Sequence, residues 1–177
     1  MDKEVIEKEE NNTQAILSKK SELFFSLYYA AEFYKIIQEN HRAAYFYWKA
    51  LKYDETFDIL CNAAKVYSLL GKFEIALELY NKAYSQAASK DILYRIYELR
   101  FHLSIKLYKR RAYGRSLKLL KTIPPRFNER ENHYLKSMLY YNLNKFPKAC
   151  EHLEKAKAGT KPGDNFLGST TNLVETS

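Results

Sequence analysis

The chain is short of the residues that make cross-links: its 177 residues include two cysteines, Cys61 and Cys150. They stand far apart, and neither belongs to a CxxC or Cys/His spacing, so neither a disulfide framework nor a zinc site organises the fold. Sparse cysteine of this kind fits a reducing interior and predicts an intracellular location, cytoplasmic or nuclear. No window approaches the roughly 18 to 20 apolar residues of a membrane span. The start, Met1-Asp2-Lys3-Glu4, has no basic region leading into an apolar run, so neither membrane insertion nor secretion is expected. Asn11-Asn12-Thr13 fits the glycosylation sequon, which carries little meaning where no secretory segment is expected.

Catalytic signatures are missing as well. There is no Gly-rich phosphate loop, no HExxH, and no Ser or Cys set beside a His in a recognisable motif. The four histidines, His41, His102, His133 and His152, are scattered along the chain, and each is read as structural. Cys61 is read as a small buried hydrophobe rather than a nucleophile. The chain is therefore expected to be no enzyme and to need no metal or cofactor.

Aromatic residues are abundant at 15%, and 16 of them are tyrosines, whose apolar body and polar tip suit elements packed on one side and wet on the other. The order within that composition is a repeat of 33 residues. Leu27, Ala30, Ala31, Tyr34, Ala43, Tyr47 and Ala50 recur as Leu60, Ala63, Ala64, Tyr67, Ala76, Tyr80 and Ala83. A looser step of the same length links Leu103, Ser104, Leu107, Tyr113, Ser116, Leu120 and Ile123 to Lys136, Ser137, Tyr140, Phe146, Ala149, Leu153 and Ala156. Phe73 and Tyr113 are 40 apart, so an insertion of about two helical turns separates the two well-phased pairs. It is expected to lengthen the second helix of repeat two and the first of repeat three.

The pattern Leu-x2-Ala-Ala-x2-Tyr followed by Ala-x3-Tyr-x2-Ala, with Gly71 at a turn and Phe73 opening a helix, resembles the tetratricopeptide repeat (TPR). Ala31, Ala64, Ser104 and Ser137 leave room for a facing helix, and the aromatics fill the space beside it. The resemblance implies an all-α, TPR-like alpha-alpha superhelix, a solenoid of about four helix-turn-helix repeats. Helices are predicted near 22–37, 41–53, 57–70, 73–88, 91–111, 114–123, 129–143 and 147–158. Pro124-Pro125 ends repeat three early, and Pro147 sits just inside a helix start, where a missing N–H costs nothing. Arg100 and His133 occupy places where a large apolar anchor is expected. Residues 1–20 read as a polar segment, either a frayed helix or disordered, 21–158 as the repeat domain, and 159–177, rich in Gly, Ser, Thr and Asn, as a disordered tail.

The net charge of +8 is concentrated. Residues 91–130 hold eleven Lys and Arg against Asp91, Glu98 and Glu129, which reads either as a solvated face or as a docking surface for an acidic segment of a partner. RNA is a further reading of residues 106–121, weakened because Tyr108 and Tyr113 fall at repeat positions. The carboxylate clamp of chaperone-binding TPR domains is matched only by Asn62, since Tyr28, Glu32, Glu98 and His102 replace its other members. Leu27–Leu51 and Ser116–Tyr140, with its helix-Ile-Pro-linker-helix pattern, are similar to the amino-terminal region of subunit 7 of the anaphase-promoting complex, a ubiquitin ligase. That resemblance covers about a third of the chain, and it implies a scaffold subunit of a multi-protein assembly that self-associates. Candidate protein contacts are Tyr28, Asn62, Lys65 and Tyr94 on the inner helices, and Arg110, Arg111 and Arg115 are the candidates for an acidic or nucleic-acid partner.

Overall fold

In a computed structural model the described residues are 3–158, with side chains described from Thr13 onward. The tail expected at 159–177 lies outside the described residues. Among the described residues every regular element is a helix: α1 Lys3–Ile36, α2 Asn40–Ala50, α3 Phe57–Leu69, α4 Phe73–Gln86, α5 Lys90–Lys109, α6 Tyr113–Leu120, α7 Glu129–Asn142 and α8 Phe146–Ala158. Seven of these begin and end within three residues of the sequence expectation. The exception is α1, which starts at Lys3 rather than near residue 22, so the polar segment 3–20 continues the first helix of repeat one. The insertion of two turns lies mostly in α5, which has 20 residues where α3 has 13 and α7 has 14.

The chain divides into two compact units, Met1–Ile92 and Leu93–Ser177. In the first, α1 packs on α2 and α3 on α4, and α2 also meets α3. Ala31, Ala43, Ala64 and Ala76 have no exposed surface. A larger side chain at any of them would hold the facing helices apart. Tyr47, Leu60 and Val66 are likewise fully enclosed, and the Tyr67 hydroxyl donates to the Ala44 carbonyl at 3.3 Å, tying α3 to α2.

In the second unit α7 packs on α8 and α6 on α7. Its core joins Phe101, Leu117, Leu120, Ile123, Phe127, Leu135 and Leu139. The small residues keep their role here too: Ser104 and Ser116 are fully buried, and the Ser116 hydroxyl donates to the Ser104 carbonyl at 2.7 Å. Ser104 in turn donates to the carbonyl of Arg100. A buried hydroxyl that finds a backbone acceptor avoids the penalty of an unpaired polar group, so Ser substitutes for Ala at a close-approach site.

The 33-residue period reaches the backbone itself. Gln38, Gly71, Arg111 and Asn144 all have positive φ, between 56° and 65°, and each ends the first helix of a pair. The residue after each of them donates five residues back at 2.9 Å: Glu39 to Tyr34, Lys72 to Tyr67, Ala112 to Leu107 and Lys145 to Tyr140. This is the left-handed helix terminator, which satisfies orphan carbonyls and turns the chain into the next helix. Glycine adopts that conformation without steric cost, and only Gly71 among the four is a glycine.

The two misfit anchors are accommodated by polar bonding. Arg100 is half-buried and its guanidinium donates to the Thr122 carbonyl at 3.3 Å. His133 is half-buried against His152.

Candidate interaction sites

Within the first unit, Tyr28 of α1 and Asn62 of α3 stand 34 residues apart, one position off the repeat's register, and the packing of the two helices brings them together. The Asn62 side-chain amide donates to the Tyr28 hydroxyl at 3.2 Å. One turn further along α1, Glu32 accepts from the buried Tyr47 hydroxyl and from the Lys35 ammonium in short hydrogen bonds. Burial and the Glu32 carboxylate together push the Tyr47 hydroxyl far above its usual range, and the same two causes raise Tyr28. Both hydroxyls therefore stay protonated, that of Tyr47 donating to Glu32 and that of Tyr28 accepting from Asn62. Lys65 is exposed on α3 and lies outside this hydrogen-bonded set. Its charge acts on Cys61, whose thiol is nevertheless raised by burial. Cys61 is half-buried rather than enclosed as expected, and a thiol with a raised pKa remains a poor nucleophile.

The second unit carries the basic residues. Positions 93–158 hold sixteen Lys and Arg against five Asp and Glu, a surplus of eleven. Arg110 and Arg111 are exposed at the end of α5, and Arg115 is exposed one turn into α6, so the three share one helix-helix corner. Tyr108 and Tyr113 at the same corner are half-buried and face each other with ring centroids 5.6 Å apart. Tyr94 is 53% exposed, with its ring 5.1 Å from that of Phe127.

Sequence reasoning missed a groove in this unit. Tyr108 of α5, Tyr134, Met138 and Tyr141 of α7, and Cys150, Leu153 and Lys157 of α8 line an open apolar depression of about 860 Å³. Its lining recurs at i, i+4 and i+7 on α7, but such spacing reads equally well as core. Sequence reasoning also missed a pairing of histidines, for the four are not all scattered. His133 and His152 bring their Nδ1 atoms within 2.8 Å, and the His152 ring lies parallel to that of Tyr140 at 5.3 Å. The signal was present in the hairpin, because antiparallel helices pair residues on either side of their connecting turn.

Among the described residues no group of three or more His, Cys, Asp or Glu side chains could hold a metal ion. Among the described residues no helix is long and apolar enough to cross a membrane.

The chain is similar in structure to MamA (AMB-1), with a TM-score of 0.53 at 16% identity, covering 81% of this chain and 76% of that one. It also matches YrrB, described as a TPR protein with an unusual peptide-binding site, with a TM-score of 0.40 at 18% identity over 82% of this chain and 90% of YrrB. No protein-family profile and no curated protein sequence matches the chain. With the repeated terminators and the enclosed small residues, the fold is that of TPR-type helix-turn-helix repeats.

Proposed function

We propose that the chain is a non-catalytic interaction scaffold whose second unit holds an acidic segment of a protein partner. The observation that carries this reading is the conjunction, within residues 93–158, of an apolar groove with a surplus of eleven positive charges. Apolar anchors in the groove would supply affinity, and the surrounding cations would steer and orient an acidic chain. The polar set on α1 and α3, with Tyr28, Asn62 and Lys65, and Tyr94 on α5, are the further protein contacts. An intracellular assembly of several subunits, of the kind the anaphase-promoting complex represents, is the setting in which such a scaffold works.

Affinity purification of the tagged chain with and without nuclease tests this reading. Protein partners should stay bound after nuclease treatment, and the combined variant Arg110→Glu, Arg111→Glu, Arg115→Glu should lose those with acidic segments. Partners lost on nuclease treatment, together with RNA recovery that falls in the same triple variant, would instead favour an RNA-associated adaptor working through residues 106–121. That second reading has less support, because Tyr108 and Tyr113 are half-buried and pack ring against ring with centroids 5.6 Å apart.

A further inference from the structure

Helix α2 presents a face that the repeat architecture does not use. From Asn40 to Tyr53 the sequence contains no acidic residue. One face buries Ala43, Ala44, Tyr47 and Ala50 against the first unit. The opposite stripe, at i, i+4, i+7 and i+11, is His41, Tyr45, Trp48 and Lys52, and all four are exposed.

Two large rings on a water-facing stripe need a reason. Tyr45 is 50% exposed and Trp48 49%, and their centroids lie 6.5 Å apart with ring planes inclined by 30°. That spacing is at the loose end of the range for contacting aromatic rings, so each keeps ring surface open to solvent. A lysine is stationed at each: the Lys49 ammonium is 4.6 Å from the Tyr45 centroid, and that of Lys52 is 3.6 Å from the Trp48 centroid. Among the described residues neither ammonium forms a salt bridge with a carboxylate. Arg42, one turn away, meets Glu39 only at 3.9 Å with both side chains mostly in water.

We infer that this face of α2 is a binding platform for single-stranded RNA. Open aromatic rings interleaved with uncompensated cations complement a polyanion that carries flat bases. A base stacked on Trp48 or Tyr45 displaces the lysine from the ring and leaves its ammonium within reach of the adjoining phosphate. An acidic peptide would use the lysines but not the rings. A lipid surface would call for a broad apolar face, and on α2 Tyr45 and Trp48 are the exposed large apolar side chains. The platform lies in the first unit, apart from the Arg110, Arg111 and Arg115 corner, and it is independent of the protein-binding reading above.

Trp48 is the only tryptophan among the 177 residues, so the chain carries its own reporter. Titration with a dodecauridylate probe should quench its emission. Affinity should fall about sevenfold between 50 and 200 mM salt if two phosphates are engaged. Tyr45→Ala should weaken binding by about fivefold or more, the loss of one base-aromatic stack. Trp48→Phe should keep affinity by anisotropy with a labelled probe, and Lys49→Gln with Lys52→Gln should flatten the salt dependence. Circular dichroism identifies any variant that has lost its helices.

Unchanged emission up to about 100 µM probe at low salt, the weak end of non-specific binding, would overturn the proposal. So would an equal response to polyglutamate, or a blue shift with phosphatidylserine vesicles in place of the RNA response. Binding abolished by Arg110→Glu, Arg111→Glu, Arg115→Glu but indifferent to Tyr45→Ala would also overturn it, by moving the contact to the second unit.

Discussion

His133 of α7 and His152 of α8 meet nitrogen to nitrogen at 2.8 Å, a contact that holds only while one Nδ1 carries the shared proton and the other is an unprotonated acceptor. Burial is the main cause that lowers the pKa of both rings. Lys136 and Lys155 lower both further, the partner ring acts on His152, and Glu151 opposes on both, with Glu129 opposing at His133. Because the folded values are depressed, the unfolded chain binds more protons once the pH falls below about 6.5. Above that pH both states are neutral and the pair is indifferent. The melting temperature should therefore decline as pH drops from about 6.5, and His133→Asn with His152→Asn should reduce the part of that decline due to the pair. Thermal unfolding followed by circular dichroism across this range decides it; a stability that rises on acidification would contradict the assignment.

The left-handed terminators make two opposite predictions from one conformation. Gly71 has a φ of 65°, and a Cβ built there would meet nothing within 4 Å, so Gly71→Ala tests backbone strain alone. It should cost about 1 kcal/mol. Arg111, at φ 59°, already carries that strain, and Arg111→Gly should recover a similar amount, about 1 kcal/mol. Urea midpoints at unchanged m-value measure both.

Glu32 accepts hydrogen bonds from Tyr47 and Lys35 at the junction of α1 and α2. Glu32→Leu would leave the buried Tyr47 hydroxyl without this acceptor, and it should destabilise the chain by about 1–3 kcal/mol. Tyr47→Phe should cost less, because it removes the stranded donor. If both substitutions were neutral by chemical denaturation, the bond would contribute nothing to the fold.

Leu139 is fully enclosed in the second unit's core. Leu139→Ala should cost about 2–5 kcal/mol, through lost burial and the cavity left behind. A smaller loss, read from the same urea curves, would mean that α7 and α8 relax into the space.

Much of the fold was legible because a 33-residue period ties each helix pair to the next. Ala43 and Ala76, read as equivalent from spacing alone, are both wholly enclosed on second helices, and the chain can bury their small faces in only one way. The start of α1 was not legible. Residues 3–20 are polar enough to read as a separate segment, and helix continuity there is a backbone property that no apolar stripe announces.

The sites were less legible than the fold. Tyr28 and Asn62 were both candidates on inner helices, but 34 residues separate them, one more than the period, so their contact was not legible; Arg110, a candidate for its charge, lies in the other unit. The sequence by itself determined the helices, their pairing, and where the charge accumulates, because those follow from local spacing and composition. Only the tertiary structure decided which side chains are left over. Tyr108 and Tyr113 are half-buried against each other while Tyr45 and Trp48 are exposed, and His133 finds His152. Such outcomes depend on which face of each helix its neighbours cover, and a helix cannot encode that face without the partner that packs against it.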